Sequence, residues 1–143
     1  MSLERVEKIK SSLLGLAPDI FGNFPVLFAY LYGSYATGLV HPFSDLDVGI
    51  YVEEISRRRY LELELFLAVE IDEKLGGGVA SEVRIMNALP LVVIGRIITE
   101  GILIFSKNDS IRVDFETSVR SAYFDFIPVV RRYQSAYIDS IVS

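Results

Sequence analysis

The sequence predicts an α+β domain, with α/β-like alternation, in which a small mixed β-sheet is flanked by helices and followed by a long C-terminal helix. Short apolar runs of strand length alternate with longer segments of helical periodicity, an order that builds a sheet carrying helices. Residues 109–141 continue one amphipathic pattern without a break. A chain of 143 residues is long enough for one such domain and its core.

The first half of the chain predicts a helix followed by two strands. Apolar residues recur at helical spacing over the first segment: Leu3, Val6, Ile9, Leu13 and Leu16. Pro18 is expected to end this helix. The apolar run 25–32 predicts a buried strand, and 34–39 predict the start of a short helix. A polar loop then leads into a second strand over 45–52.

The sequence pattern in the middle of the chain fits both a strand and a helix. Residues 61–65 alternate like a strand, but the length of 56–75, its helical spacing and Ser56 as an N-cap favour a helix. The run Gly76-Gly77-Gly78 is a typical helix stop. Residues 79–86 then predict a third strand.

The last part of the chain predicts a helix, a strand and a final long helix. Pro90 suits the first turn of a helix that runs to about Glu100, and Ile102 to Phe105 predict a short strand. The final helix, over 109–141, carries apolar residues along one side: Phe115, Val119, Tyr123, Phe126, Ile127, Val130, Tyr137 and Ile141.

Composition excludes several classes of protein. A net charge of −5 argues against direct binding to the nucleic-acid backbone, because such binding needs a basic face. No apolar run reaches the ~18–20 residues that span a bilayer, and the charged start MSLERVEKIKSS is unlike a signal peptide, so we expect a cytoplasmic protein. The hydrophobic fraction of 51% suggests either apolar surface that meets a partner or a tightly packed protein from a hot environment.

Residues that could bind a ligand or take part in catalysis lie where the first predicted strand ends and the second begins. Asp45 and Asp47 lie two residues apart, so on a strand both carboxylates point to one face. Paired like charges are costly unless a cation joins them, and such pairs suit Mg²⁺ bound with substrate phosphates. Gly33-Ser34 stands where a backbone turn could approach a phosphate. The pattern indicates metal-assisted nucleotidyl transfer; the alternative is a capped turn without a ligand.

The spacing of Gly33-Ser34, ten residues and Asp45-x-Asp47 resembles the GS-x10-D-x-D signature of the DNA polymerase beta-type nucleotidyltransferases. Within them the chain is most similar to the minimal nucleotidyltransferases (MNT), whose motif reads GSxARGxxxxxSDxDL. Thr37 departs from this motif, which usually has Arg there. Residues 82–105 resemble a further family segment, and 112–138 are similar to the C-terminal helix of MNT antitoxins that are paired with HEPN toxins.

The resemblance implies the nucleotidyltransferase fold, with a mixed sheet of four to five strands and the motif at one end. It implies one domain over 1–143, with an N-terminal helix in 1–24, a catalytic core in 25–105 and a C-terminal helix in 109–141 that could dock a partner.

The resemblance also assigns the site residues. Asp45 and Asp47 would hold Mg²⁺, two ions in the usual mechanism, and Glu82 would be the third carboxylate, although an exposed strand residue is an equal alternative for Glu82. A backbone cradle for the nucleotide phosphates would involve Gly33, Ser34, Gly38 and Ser44. Arg84, on the predicted face of Glu82, could contact a phosphate, but we favour its pairing with Glu82.

The activity implied is Mg²⁺-dependent transfer of AMP from ATP to an acceptor hydroxyl, which in the antitoxin branch is a tyrosine of a HEPN ribonuclease toxin. Thr37, Glu82 and Arg84 could weaken it. Two alternatives stay open: a non-catalytic antitoxin that occludes its toxin, and a small-molecule nucleotidyltransferase of the aminoglycoside type, which usually carries a further domain. A homo-oligomer is compatible with the sequence.

Overall fold

The computed structural model describes residues 2–142. Within them four strands form one mixed sheet: β1 (Val26–Tyr32), β2 (Leu46–Val52), β3 (Ser81–Ile85) and β4 (Ile102–Ser106). The strand order is β3-β2-β1-β4. Strand β1 runs antiparallel to β2 and β4, whereas β2 and β3 are parallel. The predicted small mixed sheet is confirmed.

Five α-helices accompany the sheet in the described part of the chain: α1 (Leu3–Phe21), α2 (Ser34–Thr37), α3 (Tyr60–Lys74), α4 (Leu91–Glu100) and α5 (Asp109–Val142). Short 3₁₀ turns cover Arg57–Arg59 and Met86–Ala88. The predicted α+β order and the long C-terminal helix are therefore confirmed, and residues 56–75 are helical as expected.

The prediction that Pro18 ends the first helix is wrong, because α1 continues to Phe21. Pro18 lacks an N–H, but its carbonyl accepts a hydrogen bond from Gly22 N at 2.9 Å and so closes the last turn. Ile20 and Phe21 are fully buried on this turn. Their burial stabilises the extra turn by more than the one missing hydrogen bond costs.

The two faces of the sheet have separate cores because side chains alternate along each strand. One core joins α1 and α3 to the sheet and includes Leu13, Leu31, Val48 and Ile71. The other joins α4 and α5 to the opposite face, and its buried residues are Phe28, Tyr30, Met86, Ile97, Ile98 and Val119. The second face is the one that carries the polar side chains described below.

Helix α5 packs against the sheet along its first half. The buried Glu116 accepts a hydrogen bond from the Tyr30 hydroxyl at 2.6 Å and from Arg112 Nη1 at 2.6 Å. Residues 131–142 are exposed throughout. Between residues 2 and 142 no helix combines the length and the apolar character required to cross a bilayer.

Candidate functional site

The sheet register sets Tyr32, Asp47 and Glu82 side by side. Tyr32 on β1 is paired with Asp47 on β2, and Asp47 is paired with Glu82 on β3. Asp47 is half-buried, whereas Glu82 is exposed. Asp45 precedes β2 and is also exposed. The predicted carboxylates therefore lie around one end of the central strands.

Gly33 turns β1 into the short helix α2 directly beside Asp47. Its φ of 70° and ψ of −152° lie in a region that residues with a Cβ rarely adopt. A Cβ at this position would also collide with the Asp47 carboxylate. The backbone conformation of the turn requires glycine, and the absence of a Cβ leaves room for the Asp47 carboxylate to lie against the turn.

The loop after α2 is held by its own hydrogen bonds. The Ser34 carbonyl accepts from Gly38 N at 2.8 Å and, more weakly, from the Thr37 hydroxyl at 3.4 Å. Further on, Ser44 Oγ accepts from His41 N at 2.9 Å and so fixes the turn that leads into Asp45. In this structure Gly38 and Ser44 shape the loop, and Thr37 takes part in closing it.

The Asp47 carboxyl is electrostatically unfavourable in its charged form. Burial, followed by the neighbouring carboxylates of Glu82 and Asp45, raises the pKa of Asp47 to about 6, while the positive charge of Arg84 partly opposes this rise. A bound cation would lower the pKa of this carboxyl and so favour its charged form. The arrangement is typical of sites that gain a positive ligand.

The donor set fits a hard cation such as Mg²⁺, which binds oxygen ligands and often keeps only one or two carboxylates beside substrate phosphates. No group of three or more His, Cys, Asp or Glu side chains in residues 2–142 is gathered closely enough to hold a metal by itself. The carboxylates therefore suit a cation that binds together with a phosphate ligand rather than a closed protein site.

Arg84 lies on the Glu82 side of β3, as strand alternation predicts, but it does not make the predicted ion pair. The ion pairs formed among residues 2–142 include none between Arg84 and Glu82. Burial raises the pKa of Tyr32, and of the charges nearby Asp47 raises it further whereas Arg84 lowers it. Sequence reasoning missed Tyr32, although its position as the last strand residue before Gly33 was a usable signal.

Two cavities flank the carboxylates. One of about 320 Å³ lies between the end of β1 and α4, where its lining includes Tyr32, Gly33 and Arg96. Another of about 450 Å³ lies along the free side of β3, where its lining includes Glu82 and Arg84. The site is thus open on the side of β1 and on the side of β3.

The burial of the Asp47 carboxyl, together with the carboxylates beside it, predicts that Asp47→Asn stabilises the protein in the absence of metal. A carboxyl with a raised folded-state pKa binds more protons in the native state between pH 3.8 and about 6, so stability falls as pH rises through this window. Above it, the variant should be more stable by about 1 kcal/mol, or about 3 °C, after allowance for solvent screening. Thermal melts with EDTA at pH 8 and pH 4 measure the effect. An equal gain at both pH values would contradict it.

The family described as "Polymerase beta, Nucleotidyltransferase" matches residues 18–110 of the chain. None of the curated proteins compared matches the sequence at a significant level. The matched segment contains Gly33, Asp45, Asp47 and Glu82, the residues that the fold brings around one end of the sheet.

Solved structures with the same fold include chains from toxin–antitoxin complexes. A chain of a toxin–antitoxin structure with AMP-PNP is 17% identical, with a TM-score of 0.61, and the alignment covers 94% of this chain and 98% of the other. A chain of the tri-AMPylated Shewanella oneidensis HEPN toxin in complex with MNT antitoxin is 16% identical, with a TM-score of 0.58 and coverage of 96% and 99%. At these identities the similarity establishes the fold alone.

Proposed function

The chain belongs to the polymerase beta-type nucleotidyltransferases, and from this premise we propose that it transfers AMP from ATP to a hydroxyl group of a HEPN-type protein partner. The observation that carries the proposal is the contact between the Gly33 turn and the Asp47 carboxylate, with Glu82 next in register. This contact brings a backbone turn suited to phosphate beside carboxylates suited to a cation.

Each residue has a distinct part in the proposed reaction. Asp45 and Asp47 would hold Mg²⁺ together with the nucleotide phosphates, and Glu82 would complete the ligands. Bound Mg²⁺ would neutralise phosphate charge and stabilise the attacking and leaving oxygens. Gly33 and Ser34 would hold the leaving pyrophosphate group, and the cavity next to Gly33 offers the nucleotide room beside Arg96.

The proposed partner is supported by the similar structures and by the surface of α5. Two of the similar structures are of toxin–antitoxin systems, and one of these holds a tri-AMPylated HEPN toxin in complex with MNT antitoxin. The exposed end of α5 carries a row of large apolar side chains: Tyr133, Tyr137, Ile138, Ile141 and Val142. An apolar row of this kind on a projecting helix favours docking of a protein.

An antitoxin that only occludes its toxin is a second candidate. The observation that favours it is Arg84, whose positive charge lowers the pKa of Asp47 and so already offsets part of the repulsion from the neighbouring carboxylates. In that case α5 would dock the partner without any transfer of AMP.

The test begins with calorimetric titration of the protein with ATP, in the presence of Mg²⁺ or EDTA. We expect binding that requires Mg²⁺. A co-purified HEPN-type partner is then incubated with ATP labelled in its α-phosphate, and we expect the label on the partner. Tyr137→Glu/Ile141→Glu, on the exposed end of α5, should bind Mg-ATP normally but lose the partner and its labelling. Partner binding without any nucleotide binding would support the occluding antitoxin instead.

A further inference from the structure

We propose that the outward face of α3 is a homodimer interface, in which the α3 helices of two copies of this chain pack antiparallel about a two-fold axis near Leu65. The proposal concerns the assembly of the protein and does not depend on the proposed transfer of AMP. It accounts for the alternating apolar residues of 61–65, which resemble a strand in the sequence but lie on a helix.

Helix α3 is apolar on two sides, although only its inward side packs against the sheet. Leu67 and Ile71 are fully buried in the core that α1 and α3 form with the sheet. The outward side carries a row of large apolar residues that are half or more exposed: Leu61 (64%), Leu65 (59%), Phe66 (50%) and Val69 (54%). A helix that is apolar all round is ordinarily buried all round, so this row indicates a second contact surface.

The row is arranged so that it can pack against a copy of itself. Leu61, Leu65 and Val69 are spaced by four residues, so they follow one another along the same side of the helix. In an antiparallel pair that crosses at Leu65, Leu61 of each copy meets Val69 of the other, and the two Leu65 side chains meet at the axis. Interdigitation of rows with this spacing is the commonest mode of helix packing.

The charges at the two ends of α3 identify the occupant as a second copy. Three consecutive arginines, Arg57–Arg59, are exposed in the turn that leads into the helix, and its last turns hold Glu70, Asp72 and Glu73. The arginines lie six to eight residues before Leu65, and the acidic residues lie five to eight residues after it. An antiparallel pair therefore sets each arginine cluster against the acidic cluster of the other copy, whereas a parallel pair would set like charges together.

Both clusters are unfavourably placed for α3 by itself. Positive charge at the start of a helix and negative charge at its end oppose the helix dipole. The ion pairs formed within residues 2–142 involve none of these arginines or acidic residues, although Asp72 accepts hydrogen bonds from Ser81 and so also holds β3. A second copy would supply the opposite charge to both clusters, and its helix dipole would run in the favourable, opposite direction.

Space for the side chains of the second copy lies on both sides of the row. The cavity of about 450 Å³ along the free side of β3 has Leu61 and Leu65 in its wall. On the other side a cavity of about 290 Å³ has Phe24 and Phe66 in its wall, and the centroids of these two rings are 5.3 Å apart. The leucines of the second copy would enter these cavities, because the ridges of one packed helix fill the grooves of the other.

The interface leaves the opposite face of the sheet free. Helix α3 packs on one face together with α1, whereas α4 and α5 pack on the other. A second copy on α3 and a HEPN-type partner on the exposed end of α5 can therefore be bound at the same time.

The experiment measures the mass of the full chain in solution by sedimentation equilibrium, without ATP, over a range of protein concentrations. Because two helices bury less than the ~1,600 Å² of a standard interface, we expect a dissociation constant on the order of ten micromolar. The mass should rise from that of one chain, 16.1 kDa, to twice this value. Leu65→Arg should weaken dimerisation about tenfold or more, because two cations then meet at the axis. Leu39→Arg, at a leucine that is 78% exposed and lies outside α3, is the matched control and should dimerise like wild type.

Two charge-reversed variants test the antiparallel arrangement. Arg57→Glu/Arg58→Glu and Glu70→Lys/Glu73→Lys should each weaken dimerisation, because each homodimer then sets like charges together at both ends of the helix pair. An equimolar mixture of the two variants should form a heterodimer, since opposite charges meet again at both ends. This recovery would also demonstrate that both variants are folded.

A wild-type chain that stays at 16.1 kDa at every concentration would overturn the proposal, as would dimerisation of Leu65→Arg equal to that of Leu39→Arg. Failure of the mixed variants to recover would overturn the antiparallel pairing. A monomeric wild type, together with loss of a co-purified HEPN-type partner in Leu65→Arg, would assign this face of α3 to that partner instead. The mass measurements use no nucleotide, so their outcome is separate from that of the Mg-ATP titration.

Discussion

Replacement of Asp45 and Asp47 by Asn should lower AMP transfer by about a thousandfold, the largest effect that we expect from any substitution in this chain. Metal stabilisation of the transition state contributes several kcal/mol, and each 1.36 kcal/mol changes a rate tenfold. Asn keeps the shape of each side chain but removes the charge that would hold the cation. The measurement is the initial rate of labelling with ATP carrying a labelled α-phosphate, together with calorimetric affinity for Mg-ATP.

The controls for this experiment use the same chemical change elsewhere. Asp114→Asn, on the exposed surface of α5, should transfer AMP like wild type. The double variant should remain folded and, because Asp47 is the repelled carboxyl, should melt no lower than wild type at pH 8 without metal. A loss of activity together with added stability would identify a functional site rather than a damaged fold. Mg-ATP affinity unchanged in the double variant would contradict the assigned role.

The sequence predicted the parts of this site that depend on local spacing. Asp47 could be placed on a strand because the apolar run that contains it is local, and Gly33 could be placed at the turn because only glycine suits it. The predicted strand position of Asp45 is not found, since β2 begins at Leu46. The sequence did not reveal that Tyr32 lies beside Asp47, since the strands must first be set in register. The same holds for the cavity along the free side of β3, whose lining comes from segments far apart in the chain.

The error at Pro18 has a related physical cause. Local propensity expects proline to interrupt a helix, but the burial of Ile20 and Phe21 depends on the sheet against which the last turn of α1 packs. Tertiary packing therefore decided where the helix ends. Glu116 was likewise not selected from the sequence, because a single acidic residue on an amphipathic helix is ordinarily on the solvated side.

Glu116→Ala should lower the free energy of unfolding by about 3 kcal/mol, because it breaks the buried connection between α5 and the sheet. The Tyr30 hydroxyl, on a side chain only 2% exposed, would lose the acceptor that it contacts at 2.6 Å. Arg112 would lose its partner at 2.6 Å and keep the hydrogen bond of 3.1 Å to Ser106 Oγ and the longer contact of 3.4 Å to the exposed Asp109. A fall in melting temperature of about 10 °C is the expected result.

The contribution of the Tyr30–Glu116 hydrogen bond can be separated with a double-mutant cycle. Tyr30→Phe alone removes the donor, and combined with Glu116→Ala it should cost less than the sum of the two, because no buried hydroxyl is then left without a partner. Glu73→Ala, at an exposed position of α3, is the control and should change stability by less than about 0.5 kcal/mol. If Glu116→Ala melted at the temperature of Glu73→Ala, packing of Val119 and Phe115 would have to hold α5 without the polar connection. When the Tyr30–Glu116–Arg112 hydrogen bonds are intact, the first half of α5 is held against the sheet. The exposed end of α5, which is the surface proposed for the partner, then keeps a defined position relative to the carboxylates.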